Sequence, residues 1–519
     1  MTNATQTESL SHPAPAAWGT FRALGSHHIV SGGLALCLGA FCAAVVTMQA
    51  SYNLYFFAFA SLGLAFALAG SLHTGAMYSL LFFCIKPAVW RLAYHLDATG
   101  GTHPAVDLLR YSGGLFLSLI CAIIIVKHIV ERRPLIQSRL DLTLALFIVW
   151  YTISIFNPQT SLFLGLAGFE RNIFPTLFLF FVGREIMNTE QDLTRFIKVV
   201  TVFAIVALAY GLKHSLSGLW GFEQTFFTDK FYSSGLDGWL TVGIKGIEFR
   251  TFGAFYGYME FTFTAALWGA LLLAQDFRPL GKRWRTAKWM VGALLVALLV
   301  SSLERTPIMM VIAGLLTVWY VRSEKRRRVR ILVLSGVAVG VIVFVSALFQ
   351  RQLEATGVAK LQRLSEITDP ASASSIQDRI DRMWTPTVRI ILANPIGVGS
   401  GYGSQTVATA SAAGSQLAVQ PHNEFLQKAL ETGWPGAALF AVSLGLIFHR
   451  LMKSATLTDN RTLRNAAAAG CGIVAAFVLC GQVNLPFSGA SGSFFWFTSG
   501  ALISLTGKRQ RRTLPPSAA

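Results

Sequence analysis

Apolar runs of membrane-spanning length recur along almost the whole chain, and they constrain the fold more than any single motif. A helix crosses a bilayer with roughly 17–25 predominantly apolar residues. Such runs lie near residues 29–48, 54–72, 76–95, 111–130, 138–156, 172–187, 195–214, 252–274, 287–303, 306–321, 331–349, 434–450, 465–483 and 488–506. The run at 76–95 is interrupted by Lys86-Pro87, and the one at 172–187 is short. The expected fold class is an all-α polytopic membrane protein with about 12–14 transmembrane helices and one large periplasmic loop.

Composition supports this. Charged residues make up 13% of the 519 residues, about half the fraction usual in a soluble domain. The formal net charge of +18 would suggest a nucleic-acid partner in a soluble protein. Here the basic residues sit in short loops between apolar runs, the pattern of cytoplasmic loops, and no aromatic-basic surface for DNA or RNA is present. Nucleic acid is therefore excluded as a partner, and the lipid bilayer is expected as one. The six cysteines, Cys37, Cys42, Cys84, Cys121, Cys471 and Cys480, all lie inside apolar runs without metal-ligand spacing, so they are expected to be small buried residues. No metal or cofactor is expected.

The basic stretches "ERRPLIQSR" (131–139), "FRPLGKRWRTAK" (277–288), "RSEKRRRVR" (322–330), "RLMKSATLTDNRTLR" (450–464) and "KRQRR" (508–512) can all face the cytoplasm with the intervening spans alternating. This predicts a cytoplasmic tail at 1–28, polar and with no cleavable signal peptide. It also predicts transmembrane helices over 29–349, a large periplasmic loop with short helices at 350–421, C-terminal transmembrane helices at 422–507 and a basic tail at 508–519. Unstructured loops of that length usually have a function. Within this one, a helix is expected from Ile376 to Leu392, with Met383, Trp384, Ile390 and Ile391 as apolar contacts, stopped by Asn394-Pro395. "GVGSGYGS" (397–404) has spaced glycines but neither a preceding strand nor a Gly-Lys-Ser/Thr, and is expected to be a tight, flexible turn.

This topology puts arginines on the periplasmic side, against the usual bias: Arg171, Arg250, Arg305, and Arg379, Arg382 and Arg389 in the long loop. One arginine alone is adequately explained by a lipid phosphate or a local pair. Arg250 and Arg305 together with His422 are not, because three separated segments then bring cationic or ionisable groups to one face. Guanidinium is permanently charged and binds phosphate oxygens bidentately, so a diphosphate at the outer leaflet is the expected ligand. His422 opens the helix of "HNEFLQKALETGWPG" (422–436), with Asn423 or a neighbour as cap. A helix N-terminus disfavours imidazolium, and a neutral imidazole can accept a proton from an attacking hydroxyl. A structural, hydrogen-bonded histidine fits the position equally well. Glu260 falls in an apolar run, where a carboxylate needs a partner or a role.

"HNEFLQKALETGWPG" resembles the His-Asn-x-x-Leu…Glu-x-Gly-x-x-Gly signature of the O-antigen ligase and Wzy-type polymerase superfamily. "RIDRMWTPTVRIILANPIGVGSGYG" (379–403) is similar to the run that precedes it in the family's large loop. "FRTFGAF" (249–255) resembles the family's Arg-x-x-Gly segment, and "LERTPIMMVIAGLL" (303–316) its Ser/Gly-Arg-Ser/Thr segment. The resemblance covers roughly residues 170–505. Two departures stand out: "AFYGYMEF" occupies the place where members often carry Asn-Pro-Asn, and Glu304 replaces a small residue. The resemblance implies a metal-independent, inverting glycosyltransferase of the bacterial inner membrane, active at the periplasmic face. It implies a donor glycan on undecaprenyl diphosphate and an acceptor hydroxyl. His422, Arg305 and Arg250 would be catalytic. Arg382, Arg379, Arg389, Asn423, Arg171 and Glu260 complete the candidate substrate-binding set.

Polymerisation of surface-polysaccharide repeats is the leading expectation. The alternatives are ligation of glycan to lipid A-core or to protein and, from a different class, a lipid-linked oligosaccharide flippase. A flippase would carry charges along a mid-membrane path, whereas here they collect at one edge.

Overall fold

The computed structural model describes residues 51–100, 108–227, 253–255, 258–302, 305–324, 326–331, 333, 377, 379–403 and 421–513. Among these the fold is all-α, with no strand. In chain order the helices are α1 Tyr52–Gly70, α2 Leu72–Thr99, α3 Leu108–Val130, α4 Arg139–Ser154, α5 Leu162–Asn172, α6 Leu179–Ile186, α7 Glu190–Ser217 and α8 Gly221–Phe227. They continue with α9 Tyr258–Ala274, α10 Lys282–Ser302, α11 Arg305–Arg322, α12 Thr385–Ala393, α13 Glu424–Leu457, α14 Arg461–Gly481 and α15 Gly489–Thr513. Among the described residues seven helices, α1, α2, α3, α7, α10, α13 and α14, are long and apolar enough to cross a membrane. α9 and α11 are shorter apolar helices. The protein is an all-α polytopic membrane protein. The expected run at 29–48, the run at 331–349 apart from residues 331 and 333, and most of the 350–421 loop lie outside the described residues.

Three places depart from the simple series of spans. Lys86-Pro87 does not end a helix, because α2 runs through it. Pro87 has no N–H to give to the preceding turn, and the next amide, Ala88 N–H, leaves the helix ladder to donate to Ala254 O at 3.1 Å. The run at 172–187 is not one helix. α5 stops at Asn172, residues 173–178 turn, and only α6 continues. Pro175 interrupts the backbone ladder here, and Ile173, Thr176 and Leu177 are buried in protein rather than lipid-facing, as irregular backbone at membrane depth requires. Small residues then let α6 lie against α15: a side chain at Gly183 or Gly500 would strike the Phe497 or Phe180 carbonyl.

The third departure is α13. It breaks at Gly433, whose φ of 68° and ψ of −174° are not helical. A Cβ there would collide with Pro395 O and the Ile396 backbone, so glycine is required on both counts. The break leaves a short arm, 424–432, ahead of the long apolar stretch. Segment 394–403 docks into the break: Trp434 N–H donates to Pro395 O (3.0 Å), Val398 N–H to Leu430 O (2.9 Å) and Gly399 N–H to Glu431 O (3.1 Å). The glycine-rich stretch is tight, as expected, but it is buried and bonded on both sides rather than an open flexible turn. Ser400 N–H reaches Ser154 O of α4 at 3.1 Å, and Ser400 Oγ donates to Gly165 O of α5 at 2.9 Å. The expected loop helix is present as a π-helical turn, Arg379–Trp384, leading into α12. Ile391 packs with Val398, Ala429 and Leu430.

The main core is a continuous cluster built from α2 to α15, rich in aromatic side chains such as Phe440, Phe487, Phe495 and Trp496. Cys84, Cys121, Cys471 and Cys480 are buried and free.

Candidate functional site

The arm that begins at His422 is fixed from three directions. Asn423 caps α13: its Oδ1 accepts from Phe425 N–H and Leu426 N–H, both at 3.0 Å. Its Nδ2 donates to Gln482 O at 2.8 Å, in the turn after α14. On the other side of His422, Pro421 O accepts from Trp384 Nε1 at 2.8 Å. Arg379 Nη1 donates to Val483 O at 2.9 Å, the residue after Gln482. Asn484 Nδ2 donates to Thr306 Oγ1 at 3.3 Å. The turn 482–484 is thus a hub that gathers the loop helix through Arg379, the histidine arm through Asn423, and the start of α11 through Thr306. Arg305, the preceding residue, begins α11, and its side chain lies outside the described residues. Arg250 lies outside them entirely.

His422 itself has φ of 45°, a left-handed conformation that costs a β-substituted residue energy and is uncommon outside glycine, asparagine and aspartate. The bonds at Pro421 and Asn423 hold it there. Burial, assisted by the Arg379 guanidinium, lowers its pKa from 6.5 to about 4. The imidazole is neutral at pH 7 for a stronger reason than the helix terminus alone: imidazolium loses its hydration and faces a cation.

Behind this rim the arm carries a buried polar chain. Lys428 pairs with Glu424 at 2.9 Å and donates to Asn172 Oδ1 at 3.1 Å. Asn172 Nδ2 donates to Tyr151 OH at 2.9 Å, and Tyr151 OH donates to Glu431 Oε2 at 2.7 Å. Gln427 Nε2 donates to Glu431 Oε1 at 3.1 Å. All six are buried. Glu424, Lys428 and Glu431 share one helix face by their four- and three-residue spacing, so the network fixes the arm against α4 and α5. Breaking such a pair is costly because the remaining charge is stranded.

Of the other candidates, Glu260 in the first turn of α9 finds partners: it accepts from Ala490 N–H at the start of α15, with Arg171 and Lys86 close enough to act on it. Arg171 is in the last turn of α5, one residue before Asn172 of the buried chain. Arg382 and Arg389 are exposed on the π-helical turn and α12, and the arginine that acts on His422 is Arg379. Among the described residues no group of three or more histidine, cysteine or acidic side chains is placed to hold a metal.

Sequence reasoning did not single out Lys86, Tyr151, Asn172, Lys428 or the 482–484 turn. For Lys428 the signal was available, as a lysine between two glutamates on one face of an apolar helix. For the turn there was none, because Gln482 and Val483 contribute backbone carbonyls.

Residues 290–441 match the family model described as O-antigen ligase. The match covers less than a third of the chain and supports a relation to the O-antigen ligase superfamily. The match takes in α10 from residue 290, α11, the loop helix and the histidine arm, and therefore Arg305, Arg379, Arg382, Arg389, His422 and Asn423. Arg171, Arg250 and Glu260 lie outside it. No curated protein matches the sequence. The match supports glycosyl transfer of the ligase and polymerase type in general.

Proposed function

We propose that this chain is a member of the O-antigen ligase superfamily and catalyses glycosyl transfer at the periplasmic face of the bacterial inner membrane. The donor is a glycan on undecaprenyl diphosphate, the acceptor hydroxyl belongs to another lipid-linked repeat, and the product is a lengthened surface polysaccharide. The observation that carries the reading is the neutral, conformationally strained His422, held beside Arg379 at the mouth of the α13 arm.

In this reading the acceptor oxygen attacks the anomeric carbon, and its proton passes to His422. The bond from the anomeric carbon to the phosphate oxygen breaks with inversion, and undecaprenyl diphosphate leaves. A base with a pKa of about 4 is weak, so it works chiefly by accepting a hydrogen bond from the hydroxyl and orienting it, taking the proton as the new bond forms. Arg305 and Arg250 bind the diphosphate and stabilise the charge that develops on it. Arg171, Arg379, Arg382, Arg389, Asn423 and Glu260 line the approach of donor and acceptor. No step requires a metal.

The test is a glycan profile of cells lacking the protein, with surface and lipid-linked pools sized separately. Single repeats only, lipid-linked or transferred, support polymerisation. Full-length chains that accumulate on lipid diphosphate and never reach lipid A-core identify a ligase instead. Unchanged pools would refute glycosyl transfer.

A further inference from the structure

At the end of the bundle away from the histidine arm, the close of α9 gathers cations that none of the chemistry above uses. α9 begins beside Ala490 of α15, and α11 begins beside the 482–484 turn, so both end on the opposite side. α10 and α14 run the other way and start there. Three consecutive residues at the close of α9 are each bonded from a different helix. Arg322 Nη2 of α11 donates to Ala274 O. Lys288 Nζ of α10 donates to Gln275 O at 2.6 Å. Arg461 Nε of α14 pairs with Asp276 Oδ2 at 3.2 Å. Arg278 pairs with the same carboxylate oxygen at 3.0 Å. Arg464, one turn beyond Arg461, lies close enough to repel Arg322, and Arg322 in turn repels Lys288.

Part of this is ordinary helix chemistry. A helix C-terminus presents open carbonyls and partial negative charge, and cations satisfy both. That accounts for Arg322 and Lys288, while Asp276 accounts for Arg278, two residues along. It does not account for Arg461 and Arg464. Among the described residues, five cations thus gather about one carboxylate. The adjoining stretches 277–288, 322–330 and 450–464 add further basic residues, against the acids Glu324 and Asp459. Like charges held this close repel unless an anion lies among them. Arg322, Arg461 and Arg464 are exposed, so an anion can reach all three, and guanidinium forks suit phosphate oxygens.

The level of the cluster separates a lipid phosphate from a free one. Trp289, next to Lys288, is 68% exposed, and Trp319, one turn before Arg322, is 49% exposed. Both stand on outward faces of apolar helices, and tryptophan concentrates where hydrocarbon meets headgroups. Basic pockets between membrane helices at that level hold anionic headgroups.

We propose that the cations at the close of α9 form a site for the phosphate of an anionic phospholipid. Arg322, Arg461 and Arg464 hold the headgroup, level with Trp289 and Trp319. The bound lipid ties α9, α10, α11 and α14 together at the end opposite the histidine arm. The site is independent of the assignment of glycosyl transfer.

The experiment uses the full-length protein in detergent at constant ionic strength. It is titrated separately with phosphatidylglycerol, phosphatidylcholine and inorganic phosphate. Melting temperature is followed, and retained lipid is detected by native mass spectrometry. Phosphatidylglycerol is expected to raise the melting temperature saturably and to survive as an adduct, and the other two to do neither. Arg461→Gln combined with Arg464→Gln is expected to raise the phosphatidylglycerol concentration at half effect by about 25-fold, roughly fivefold for each cation. If that pair does not accumulate, Arg464→Gln alone is used, with a shift of about fivefold. Without lipid, Arg464→Gln should melt no lower than the parent, because removing it relieves repulsion. Arg326→Gln combined with Arg327→Gln removes the same charge from exposed positions nearby and should shift the titration by less than about threefold, since salt screens it. Four outcomes each overturn the proposal. An equal response to phosphatidylcholine would mean that any lipid suffices. An equal response to inorganic phosphate would mean a free-anion site. Equal losses in the two paired variants would mean diffuse attraction without a site. An unchanged titration in the α14 variants would mean that the cluster does not bind the headgroup.

Discussion

Lowering the pH from 7 to 5 should leave this enzyme nearly fully active, although its proposed acceptor-orienting group is a histidine. With a pKa of about 4, His422 is only about 9% protonated at pH 5, whereas at an ordinary 6.5 about 97% would be. Activity that needs the neutral ring therefore falls by about one-tenth in the first case and roughly 25-fold in the second. Two causes lower the pKa, burial first and the Arg379 guanidinium second. Arg379→Gln removes the second alone. The acid limb should move up in pH and remain below 6.5, because the ring is still buried. The assay is lipid diphosphate release in proteoliposomes from pH 4 to 8, with His422→Gln as the control that should lose both the limb and most of the rate. An acid limb at 6.5 in the unmodified enzyme would refute the burial argument. A limb unmoved by Arg379→Gln would refute the electrostatic one, and a normal rate in His422→Gln would refute the role itself. The same shift has a stability consequence of fixed sign. The unfolded chain takes up the proton first, so this residue's contribution weakens as pH falls from 6.5 towards 4 and is constant below.

Three further outcomes are expected. Lys428→Met strands Glu424 in the buried chain and should cost about 3–5 kcal/mol, seen as a lower melting temperature in detergent; pairing it with Glu424→Gln should recover most of the loss, and failure to recover would show that the pair is not coupled. Gly433→Ala forces a Cβ onto Pro395 O at a positive φ and should cost more than about 1 kcal/mol; a melting temperature equal to the parent's would rule out the docked break as a fixed feature. Arg305→Lys should keep the charge but lose the bidentate geometry, lowering turnover at normal protein level; full activity would exclude a bidentate contact with the diphosphate.

Much of the fold was legible in the sequence because lipid imposes one requirement on every spanning segment, namely a long apolar helix, and that requirement is met by local composition. The α1, α3, α7, α10, α13 and α14 helices all coincide with apolar runs. Part of the site was legible for a similar reason: Asn423 can cap α13 with atoms of its own segment, and the signature around His422 is contiguous. Where the reading fell short, the partner was distant in the chain. Pro87 marks a helix end unless another segment accepts the amide it displaces, and only the packed structure brings Ala254 there. The 172–187 run breaks because Pro175 interrupts a ladder that protein, rather than lipid, surrounds. A glycine-rich stretch at 397–403 is consistent with an open turn until a broken helix supplies Leu430 and Glu431 carbonyls for it to bond.

The sequence by itself determined the helices, the capped helix start beside His422 and the types of charge available, since each depends on neighbours within a few residues. Only the tertiary structure decided which charges meet. The 482–484 carbonyls that gather Arg379 and Asn423, the pairing of Lys428 with Asn172, and the grip of the buried Arg91 on the Gly253 and Phe255 carbonyls each join groups far apart in the chain, and such a contact exists only once packing has excluded water and left those polar groups no other partner.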